Sequence, residues 1–415
     1  MCPVDSLRTE TKFKKTEIGE IPVDWEIFRL GEIAHITMGQ SPPSSSCFDY
    51  KNGLPFFQGK AEFGIKYPRI LKWCHAPKII ADKEDILISV RAPVGDINVA
   101  PEKSCIGRGL AAIRAVKSYN EYLYYSLNYF KKKLAKIGQG SAFEAINKND
   151  LFELAIPFPP LNEQISIAHI LKSIDEAIDK KRAIIEKTKE LKKGLMQKLL
   201  TCGIGHTKFK ITDIGEIPKE WKLAKLGNVA MVRYGIGQPP EIVANGIPMI
   251  RATNIKKGHI IPHELIYVNK NTMPNSRISY LKEGDILIVR SGVNTGDIGL
   301  ITKRWEGAIA GYDLIVTPYI KLDSLFLSYY LLSPNIQNKY FVSLKDRSAQ
   351  PHLNAKQIEM MPVALPSLLE QERIASVLGG LDREIQCAIA HEDNLANNKV
   401  GLMETLLTGK LRVRF

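Results

Sequence analysis

The sequence predicts an α+β protein in which one module occurs twice. Each module is expected to be a β-rich domain followed by a long helix. The two helices are expected to pair as an antiparallel coiled coil in a pseudo-twofold repeat. Three observations support this architecture: an internal repeat covering both halves of the chain, two segments of helical periodicity that follow prolines, and short apolar strands ending in glycine-containing turns.

The repeat is the strongest of these observations. Residues 16–34 (TEIGEIPVDWEIFRLGEIA) return as residues 212–230 (TDIGEIPKEWKLAKLGNVA), an offset of 196. Residues 140–147 (GSAFEAIN) match residues 347–354 (RSAQPHLN) at an offset of 207, which then holds without a gap through the helical segments. The 11-residue difference therefore lies in the globular part. A helix pair that spans a fixed distance requires equal lengths, whereas a loose linker does not.

Residues 162–200 are predicted to form the first long helix. Pro160 opposes an earlier start, Asn162 can cap the first turn, and Glu163 favours the positive end of the helix. Gly203 follows the end of the segment. At about 1.5 Å per residue the helix would be roughly 60 Å long, more than a domain of this size needs for its own core.

Residues 369–408 form the second predicted helix. Between Glu163 and Lys198 there are nine Lys or Arg and six Asp or Glu, whereas between Glu370 and Glu404 there are three and seven. Opposite net charges favour pairing, and the intervening domain makes an antiparallel arrangement natural. The alternative is that each helix folds onto its own domain. The residues expected in the coiled-coil interface are Ile165, Leu171, Ile178, Ile185, Leu195, Leu378, Leu381, Ile385 and Leu402.

The composition is that of an ordinary globular protein with excess positive charge. Of the 415 residues, 45% are hydrophobic and 24% are charged, and no apolar run approaches the roughly 18 residues of a membrane span. The start of the chain has no apolar segment typical of a secretory signal, so a cytoplasmic protein is expected. The net charge of +13 suits a polyanion partner, although many basic proteins bind no nucleic acid.

Residues 16–155 and 212–362 are the predicted β-rich domains. Residues 85–97 (DILISVRAPVGDI) and 285–299 (DILIVRSGVNTGDIG) each contain a short apolar strand, an arginine and a glycine-containing turn. The stretches between these shared parts diverge between the copies. A common scaffold with different loops suits two readers of different short sequences.

Polar side chains in the domains supply candidates for base recognition, because Arg and Lys pair with guanine and Asn and Gln with adenine in the major groove. A solvated or structural role is an equal alternative for each. Lys148, Lys356 and residues 131–133 are better suited to phosphate or solvent. The base-reading candidates are Gln40, Gln58, Arg69, Arg91 and Gln139 in the first copy and Gln238, Arg251, Asn254, Arg290, Asn294, Arg347 and Gln350 in the second.

No catalytic constellation is found. An adenine methyltransferase needs an N/D-P-P-Y/F turn, but none of the Pro-Pro pairs follows Asn or Asp. The G-x-x-x-x-G-K-[ST] loop of a motor subunit is absent, and no carboxylate cluster predicts a magnesium-dependent nuclease. The six cysteines lack C-x-x-C spacing and are expected to be small buried side chains. We expect no metal, no cofactor and no small-molecule substrate.

The wording of the repeat resembles a known family. IGEIPVDWE and LGEIA at the domain start, PLNEQ leading into the helix, and the GLMQKLLT helix end are similar to the specificity (S) subunits of type I restriction-modification systems, the HsdS family. The likeness covers essentially the whole chain. It implies a first target recognition domain at 1–155, a central helix at 156–204, a second target recognition domain at 205–362 and a distal helix at 363–415.

The resemblance also implies partners. Each recognition domain is expected to bind one half of a bipartite, asymmetric site in double-stranded DNA, with the helices setting the spacing. The helices are expected to hold two methyltransferase (M) subunits, to which restriction-translocase (R) subunits add. On this interpretation the chain binds DNA, catalyses nothing and does not contact a membrane.

A polar loop that lies near DNA or the methyltransferase in the family matches residues 140–142, which include Ser141, and residues 348–351, which include Gln350. The first copy departs from the family pattern at Phe143 and Glu144, where Gln and a small residue are usual. The alternatives to this interpretation are a stand-alone repeat DNA-binding protein, such as an anti-restriction factor or a regulator, and a structural coiled-coil scaffold with basic lobes.

Overall fold

The chain divides into two compact units. Unit 1 comprises Met1–Arg182 and Ala390–Phe415, and unit 2 comprises Ala183–Ile389. The division passes through both long helices, whereas the sequence-based segments, which remain a prediction, keep each helix whole. The computed structural model describes residues 7–8, 12–132, 134, 145–238, 240–272, 280–342 and 352–413.

Two long helices dominate the helical content, as the sequence predicts. The first is 42 residues long and the second is 40. The first begins at Leu161, where the Pro160 carbonyl accepts hydrogen bonds from the backbone N–H groups of Glu163 and Gln164. Asn162 therefore lies inside the helix and does not cap it. The described α-helices are α1 (Leu30–Ile33), α2 (Asn120–Tyr129), α3 (Lys148–Phe152), α4 (Leu161–Cys202), α5 (Ser324–Leu332), α6 (Ala355–Glu359) and α7 (Leu368–Leu407).

The described part of unit 1 contains two main sheets and three two-stranded ribbons. The strands of the antiparallel four-stranded sheet are, in spatial order, Ile97–Val99, Ile86–Ser89, Leu110–Ala115 and Ala34–Met38. Those of the five-stranded sheet are Cys47–Phe48, Trp73–Cys74, Leu54–Phe57, Ser104–Ile106 and Ile80–Ala81. The ribbons pair Phe13–Thr16 with Gly19–Pro22, Glu26–Arg29 with Ala155–Phe158, and Leu7–Arg8 with Arg412–Val413.

Unit 2 repeats the four-stranded sheet and two of the ribbons, and it differs in the second sheet and the third ribbon. Given in the same direction as in unit 1, the strands of the four-stranded sheet are Ile298–Leu300, Ile286–Ile288, Leu314–Pro318 and Ala230–Tyr234. The second sheet contains Ile242–Val243, Ile266–Val268, Ile247–Ile250 and Ile309–Ala310. The ribbons pair Phe209–Thr212 with Gly215–Pro218, Lys222–Lys225 with Pro362–Leu365, and Ile255–Lys256 with His259–Ile260. The same strand order in both four-stranded sheets follows from the sequence repeat.

The repeated DILI run forms a strand that is buried on both faces. In unit 1, Ile86 and Ile88 belong to the core shared with the helices, while Leu87 belongs to a second core with Phe57 and Ile106. Alternate residues of a strand point to opposite faces, so only a continuous apolar run can fill both cores. The run in unit 2 is divided in the same way, which explains why these residues recur.

Both long helices contribute to the core of each unit. In unit 1, the core includes Ile167 and Leu171 of α4 and Leu406 of α7. In unit 2, it includes Met196 of α4 and Leu378 of α7. Burial against a domain and against each other explains why these helices are stable at such length.

The helices run antiparallel within each unit. In unit 1, Asp175 of α4 pairs with Lys399 of α7, and Arg182, two turns further along α4, pairs with Glu392, two turns further back along α7. In unit 2, Lys192 pairs with Asp382. The expected α+β class, with two β-rich domains and paired antiparallel helices, is confirmed. Within the described part of the chain, no helix has both the length and the apolar character needed to cross a membrane.

Candidate nucleic-acid interface and its helical support

A buried glutamate near the start of α4 anchors the beginning of the domain in unit 1. The Glu163 carboxylate accepts hydrogen bonds from Trp25 Nε1 at 2.9 Å and from Arg412 Nε at 2.7 Å. Arg412 also donates two hydrogen bonds to Asp24, and this cation lowers the pKa of the Asp24 carboxyl. Trp25 and Glu163 are both fully buried. The pair therefore fixes the domain start on the helix through a desolvated, charge-assisted contact.

The matching glutamate of unit 2 uses a different partner. Glu370 accepts from Trp221 Nε1 at 3.1 Å and from the Ile204 backbone N–H at 2.9 Å. Its second neighbour is His206, whose Nε2 lies 3.0 Å away. Unit 2 thus keeps the tryptophan–glutamate contact but replaces the arginine with a histidine.

The glutamine that follows each glutamate fixes a second element. Gln164 accepts from the Tyr119 backbone N–H at 2.9 Å and donates to the Pro159 carbonyl at 2.9 Å. Gln371 accepts from the Asp323 backbone N–H and donates to the Pro366 carbonyl. Because Tyr119 and Asp323 immediately precede α2 and α5, the Glu-Gln pair positions the domain on its helix. The repeat revealed these residues, but only the structure reveals their role.

A tyrosine, an aspartate and a lysine tie the domain of unit 1 to both helices. Tyr125 of α2 donates to Asp175 of α4 at 2.8 Å, and Lys399 of α7 lies 2.6 Å from the same carboxylate. The lysine also lies 5.5 Å from the Tyr125 ring centroid. Burial and the neighbouring Asp175 raise the pKa of Tyr125, so its hydroxyl remains a donor.

Unit 2 contains the same triad with the helices exchanged. Tyr329 of α5 donates to Asp382 of α7 at 2.6 Å, and Lys192 of α4 lies 2.5 Å from that carboxylate. Polar residues within an otherwise apolar helix interface can specify register. Each triad therefore defines one alignment of α4, α7 and the domain.

The predicted interface residues of the helices are buried or half-buried. Leu171, Ile178, Ile185, Leu378 and Ile385 are buried, and Ile165, Leu195, Leu381 and Leu402 are half-buried. The sequence prediction omits the buried Thr188, because a hydroxyl side chain does not mark an apolar stripe.

Loops at the ends of the central strands gather several candidate residues of unit 1. The Gln40 backbone N–H donates to the Ile106 carbonyl, and the Gly109 N–H donates to the Gln58 carbonyl. Ser41 exchanges hydrogen bonds with the Gln58 amide at 3.0 and 3.1 Å and accepts from the Arg108 N–H. We call the loops that contain residues 39–41, Gln58 and residues 107–109, and the matching loops around Gly235, Arg251 and Gly311 in unit 2, the strand-end loops. Gln40 is exposed and Gln58 is half-buried, so the structure brings two predicted base readers together.

The strand-end loops are built on close backbone contact. A Cβ atom on Gly39 would lie 2.2 Å from the Gly107 carbonyl oxygen, and one on Gly235 would lie 1.7 Å from that of Gly311. Only glycine permits this approach. The same framework therefore occurs in both units, and the side chains around it differ.

In unit 2 the strand-end loops line a cavity of about 330 Å³. Arg251 and Gly237, which precedes the candidate Gln238, lie on its wall together with Tyr312 and Asp313. Arg290 follows the central strand and lies between the rings of Tyr234 and Tyr312. The structure thus places Arg251 and Arg290 in one loop cluster.

Asn254 is a correction to the predicted base readers. It is fully buried, and its amide donates to the carbonyls of Ile261 and His263 while its oxygen accepts from the Arg251 N–H. All of its hydrogen-bonding groups are thus used within the fold, so it cannot present an amide edge to a base. We remove it from the candidate set.

The remaining described candidates are separate from these contacts in the hydrogen-bond network, and most of them face solvent. Arg69, Arg91, Gln238, Asn294 and Lys148 are exposed. Lys131, predicted to contact phosphate or solvent, instead forms an ion pair with Asp96. Residues 140–144 and 348–351 and the candidates Gln139, Ser141, Arg347 and Gln350 lie outside the described residues. Arg108 is exposed in the same loops of unit 1 but was not among the predicted candidates, because a single arginine between two glycines gives no periodic signal.

The five cysteines that the structure describes range from buried to exposed, and Cys2 lies outside the described residues. Cys74 and Cys105 are buried beside the half-buried Cys47, and burial raises the pKa of the Cys105 thiol to about 12. The expectation that all cysteines are buried is wrong for Cys202 and Cys387, which are exposed on α4 and α7. Among the described residues, no group of His, Cys, Asp and Glu is arranged to hold a metal ion.

A family profile described as the type I restriction modification DNA specificity domain matches residues 22–190 and again residues 207–392. The chain belongs to this family. Each match contains one set of strand-end loops and one tryptophan–glutamate anchor. As a type I restriction-modification specificity subunit, the chain is a DNA-recognition component and not a catalytic one.

Individual relatives carry the same designation. The chain is 52% identical over 193 residues to a Methanocaldococcus jannaschii protein named as the MjaX specificity subunit, covering 46% of this chain and 45% of that relative. It is 28% identical over 423 residues to the MjaVIII specificity subunit of the same organism, covering 98% and 97%. The EcoBI specificity subunit of Escherichia coli is 23% identical and covers 90% of this chain and 84% of its own length.

Solved structures show the same fold. The S subunit of a type I restriction-modification system from M. genitalium matches with a TM-score of 0.60 at 17% identity, covering 95% of this chain and 98% of that one. A chain solved in work on complex assembly and conformational transition of the type I R-M system matches with a TM-score of 0.59 at 18% identity, covering 94% and 99%.

Proposed function

We propose that this chain is the specificity subunit of a type I restriction-modification complex that reads a bipartite, asymmetric site in double-stranded DNA. Unit 1 reads one half-site and unit 2 reads the other. The observation that carries this proposal is that the strand-end loops have one backbone framework in both units but different side chains. The net charge of +13 supports DNA as the ligand, because cationic side chains release condensed counterions from phosphates.

The helices α4 and α7 set the distance between the half-sites and hold two methyltransferase subunits, to which restriction-translocase subunits add in the cytoplasm. The apolar side chains left exposed on the helices support such docking. Ile184 and Leu191, seven residues apart on α4, are 44% and 54% exposed, and Val377 and Val400 of α7 are 44% and 68% exposed. Partner subunits that cover these side chains would remove apolar surface from water.

Co-expression with the neighbouring methyltransferase tests the proposal. The two proteins should co-purify, and N6-methyladenine in the host genome should fall within one two-part motif. The control is the methyltransferase expressed without this chain, which should leave that motif unmodified. The proposal fails if the chain elutes alone and the genome carries no such motif.

The spacing role has its own test. A seven-residue insertion between Arg182 and Lys192 of α4, combined with another between Asp382 and Glu392 of α7, preserves both interhelical ion pairs because seven residues are two helical turns. The spacer of the methylated motif should lengthen while both half-sites stay the same. Altered half-sites with an unchanged spacer would contradict it.

A further inference from the structure

A cluster of polar and aromatic side chains surrounds Arg290 in unit 2. The guanidinium carbon lies 4.7 Å from the ring centroid of Tyr234 and 4.1 Å from that of Tyr312. Its Nη2 lies 2.7 Å from Nε2 of His352. We call these four residues, with Asp313, the Arg290 cluster. They come from four separate segments of the domain, so the fold itself assembles them.

The scaffold does not need this cluster, because unit 1 builds the same place without it. The Ile146 N–H donates to the Val90 carbonyl in unit 1, and the Leu353 N–H donates to the Arg290 carbonyl in unit 2. Val90 therefore stands where unit 2 has Arg290. Val90 is 2% exposed and belongs to the hydrophobic core.

Two further members of the cluster also replace apolar residues. The Gly39 N–H donates to the Leu110 carbonyl in unit 1, and the Gly235 N–H donates to the Asp313 carbonyl in unit 2, so Leu110 corresponds to Asp313. Met38 of unit 1 occupies the same position in the strand register as Tyr234 of unit 2, so these two residues also correspond. The apolar positions of Val90, Leu110 and Met38, which unit 1 divides between two hydrophobic cores, are thus occupied in unit 2 by a cationic, an acidic and an aromatic residue.

The cluster carries a desolvation cost. The Arg290 Nε atom is buried and has no hydrogen-bond partner among the described residues. The Asp313 carboxylate is also buried and accepts from the Arg290 backbone N–H at 3.1 Å. Buried polar groups without full compensation weaken a fold and are found where function requires them. Since unit 1 folds with Val90, folding does not explain the arginine.

The arrangement suits recognition of a guanine. Two aromatic faces hold the guanidinium plane and leave little rotamer entropy to lose on binding. A planar fork of donors matches O6 and N7 of guanine in the major groove. Tyr234 and Tyr312 are 42% and 48% exposed, and the cavity beside them carries a second arginine, Arg251, on its wall. The site therefore presents an oriented cation beside open space.

We propose that the Arg290 cluster reads a guanine in the half-site bound by unit 2, with Arg290 as the specificity-determining residue and Tyr234, Tyr312 and His352 as its positioning residues. This inference rests on the proposed function. It also implies that unit 1, with Val90 at this place, reads its half-site through other side chains of its strand-end loops.

Methylated motifs mapped in hosts that carry the intact system test the inference. Arg290→Val should make the unit 2 half-site degenerate at one guanine and leave the other half-site unchanged, because Val90 shows that the scaffold accepts valine. Arg290→Lys keeps the charge but loses the planar fork, and should relax the same position. Discrimination at that base should fall about 5- to 150-fold, which corresponds to the roughly 1–3 kcal/mol of a bidentate pair. Arg304→Gln, which alters an exposed arginine stacked on an aromatic ring of unit 2, is the control and should change nothing.

The outcomes separate the two proposals. If the unaltered chain directs methylation to a two-part motif but both Arg290 variants keep every position of it, the inference is overturned while the proposed function stands. Loss of all methylation in both Arg290 variants would assign Arg290 to folding or assembly and also overturn the inference. If the unaltered chain yields no motif, the proposed function itself has failed.

Discussion

After the central strand of unit 1 the chain continues with Val90, a buried core residue, whereas unit 2 places Arg290 there between two half-exposed tyrosines. The contacts that hold each domain to the helices are, in contrast, similar in the two units. The Tyr125 and Tyr329 triads differ little in their distances. Duplication has thus kept the side chains that hold a domain to the helices and changed those at the strand-end loops. That division of labour is what a reader of two different half-sites requires.

The tryptophan–glutamate anchors are only partly the same in the two units. Glu163 and Glu370 make the same contact with tryptophan, but the second partner is Arg412 in unit 1 and His206 in unit 2. An arginine is always charged, and in unit 1 it binds its carboxylate through two donors, so the anchor of unit 1 should be the stronger one.

The largest expected effect is on these anchors. Glu163→Gln should destabilise unit 1 by about 3 kcal/mol, since Arg412 loses its buried carboxylate partner and keeps only the half-exposed Asp24. Glu370→Gln should cost only about 1–2 kcal/mol, the range of an ordinary buried hydrogen bond. Hydrogen exchange of residues 16–34 and 212–230 measures the two effects locally.

Glu372→Gln, at an exposed position of α7, is the control for these anchor variants and should be neutral. A larger loss for Glu370→Gln than for Glu163→Gln would show that Arg412 is not the stronger partner.

The pH dependence of the free energy of unfolding tests the buried Asp313 carboxylate of the Arg290 cluster. Burial raises the pKa of Asp313 from 3.8 to about 6, so its protonation stabilises the folded state and this stability is lost as the pH rises through 6. Two pKa units correspond to about 3 kcal/mol. Asp313→Asn keeps the acceptor for the Arg290 N–H, so unfolding free energies of variant and parent should diverge with rising pH between about 4 and 7. Parallel curves would show that burial does not raise the pKa of Asp313. Asp393→Asn, at an exposed site on α7, should run parallel to the parent.

The triads should show the smallest and most nearly equal effects. Asp175→Asn and Asp382→Asn should each cost about 1–2 kcal/mol, because the carboxylates are partly buried and accept charge-assisted hydrogen bonds. Denaturant unfolding of the full chain, carried out for each variant, measures this loss of stability. Glu186→Gln, which removes the exposed Lys189 partner, should change stability by less than about 0.5 kcal/mol. Clearly unequal losses at the two aspartates would mean that the triads are not equivalent.

The sequence predicted the helices and the repeat well, because both depend on local periodicity along the chain. α4 begins one residue before the predicted start at Asn162. The function of Glu163 was only half predicted. Its position favours a helix N-terminus, but its contacts with Trp25 and Arg412 join residues 138 and 249 positions apart, which no local pattern reveals.

Site residues were harder to predict for the same physical reason. Asn254 and Arg290 have side chains that suit base recognition equally well, but one amide is consumed by backbone carbonyls and the other side chain lies between two tyrosines. Burial and tertiary partners decide between them, and residue type reveals neither. Divergence between the copies did not mark Arg290 either, because Arg290 lies in residues 285–299, one of the stretches that the two copies share.

Two units with one scaffold should read two different half-sites. The sharpest test of this proposal is a chain in which residues 212–362 are replaced by residues 16–155, co-expressed with the methyltransferase and followed by mapping of methylated adenines. We expect a symmetric motif in which the unit 1 half-site occurs twice in inverted orientation. A motif that keeps the original asymmetric halves would contradict the proposal.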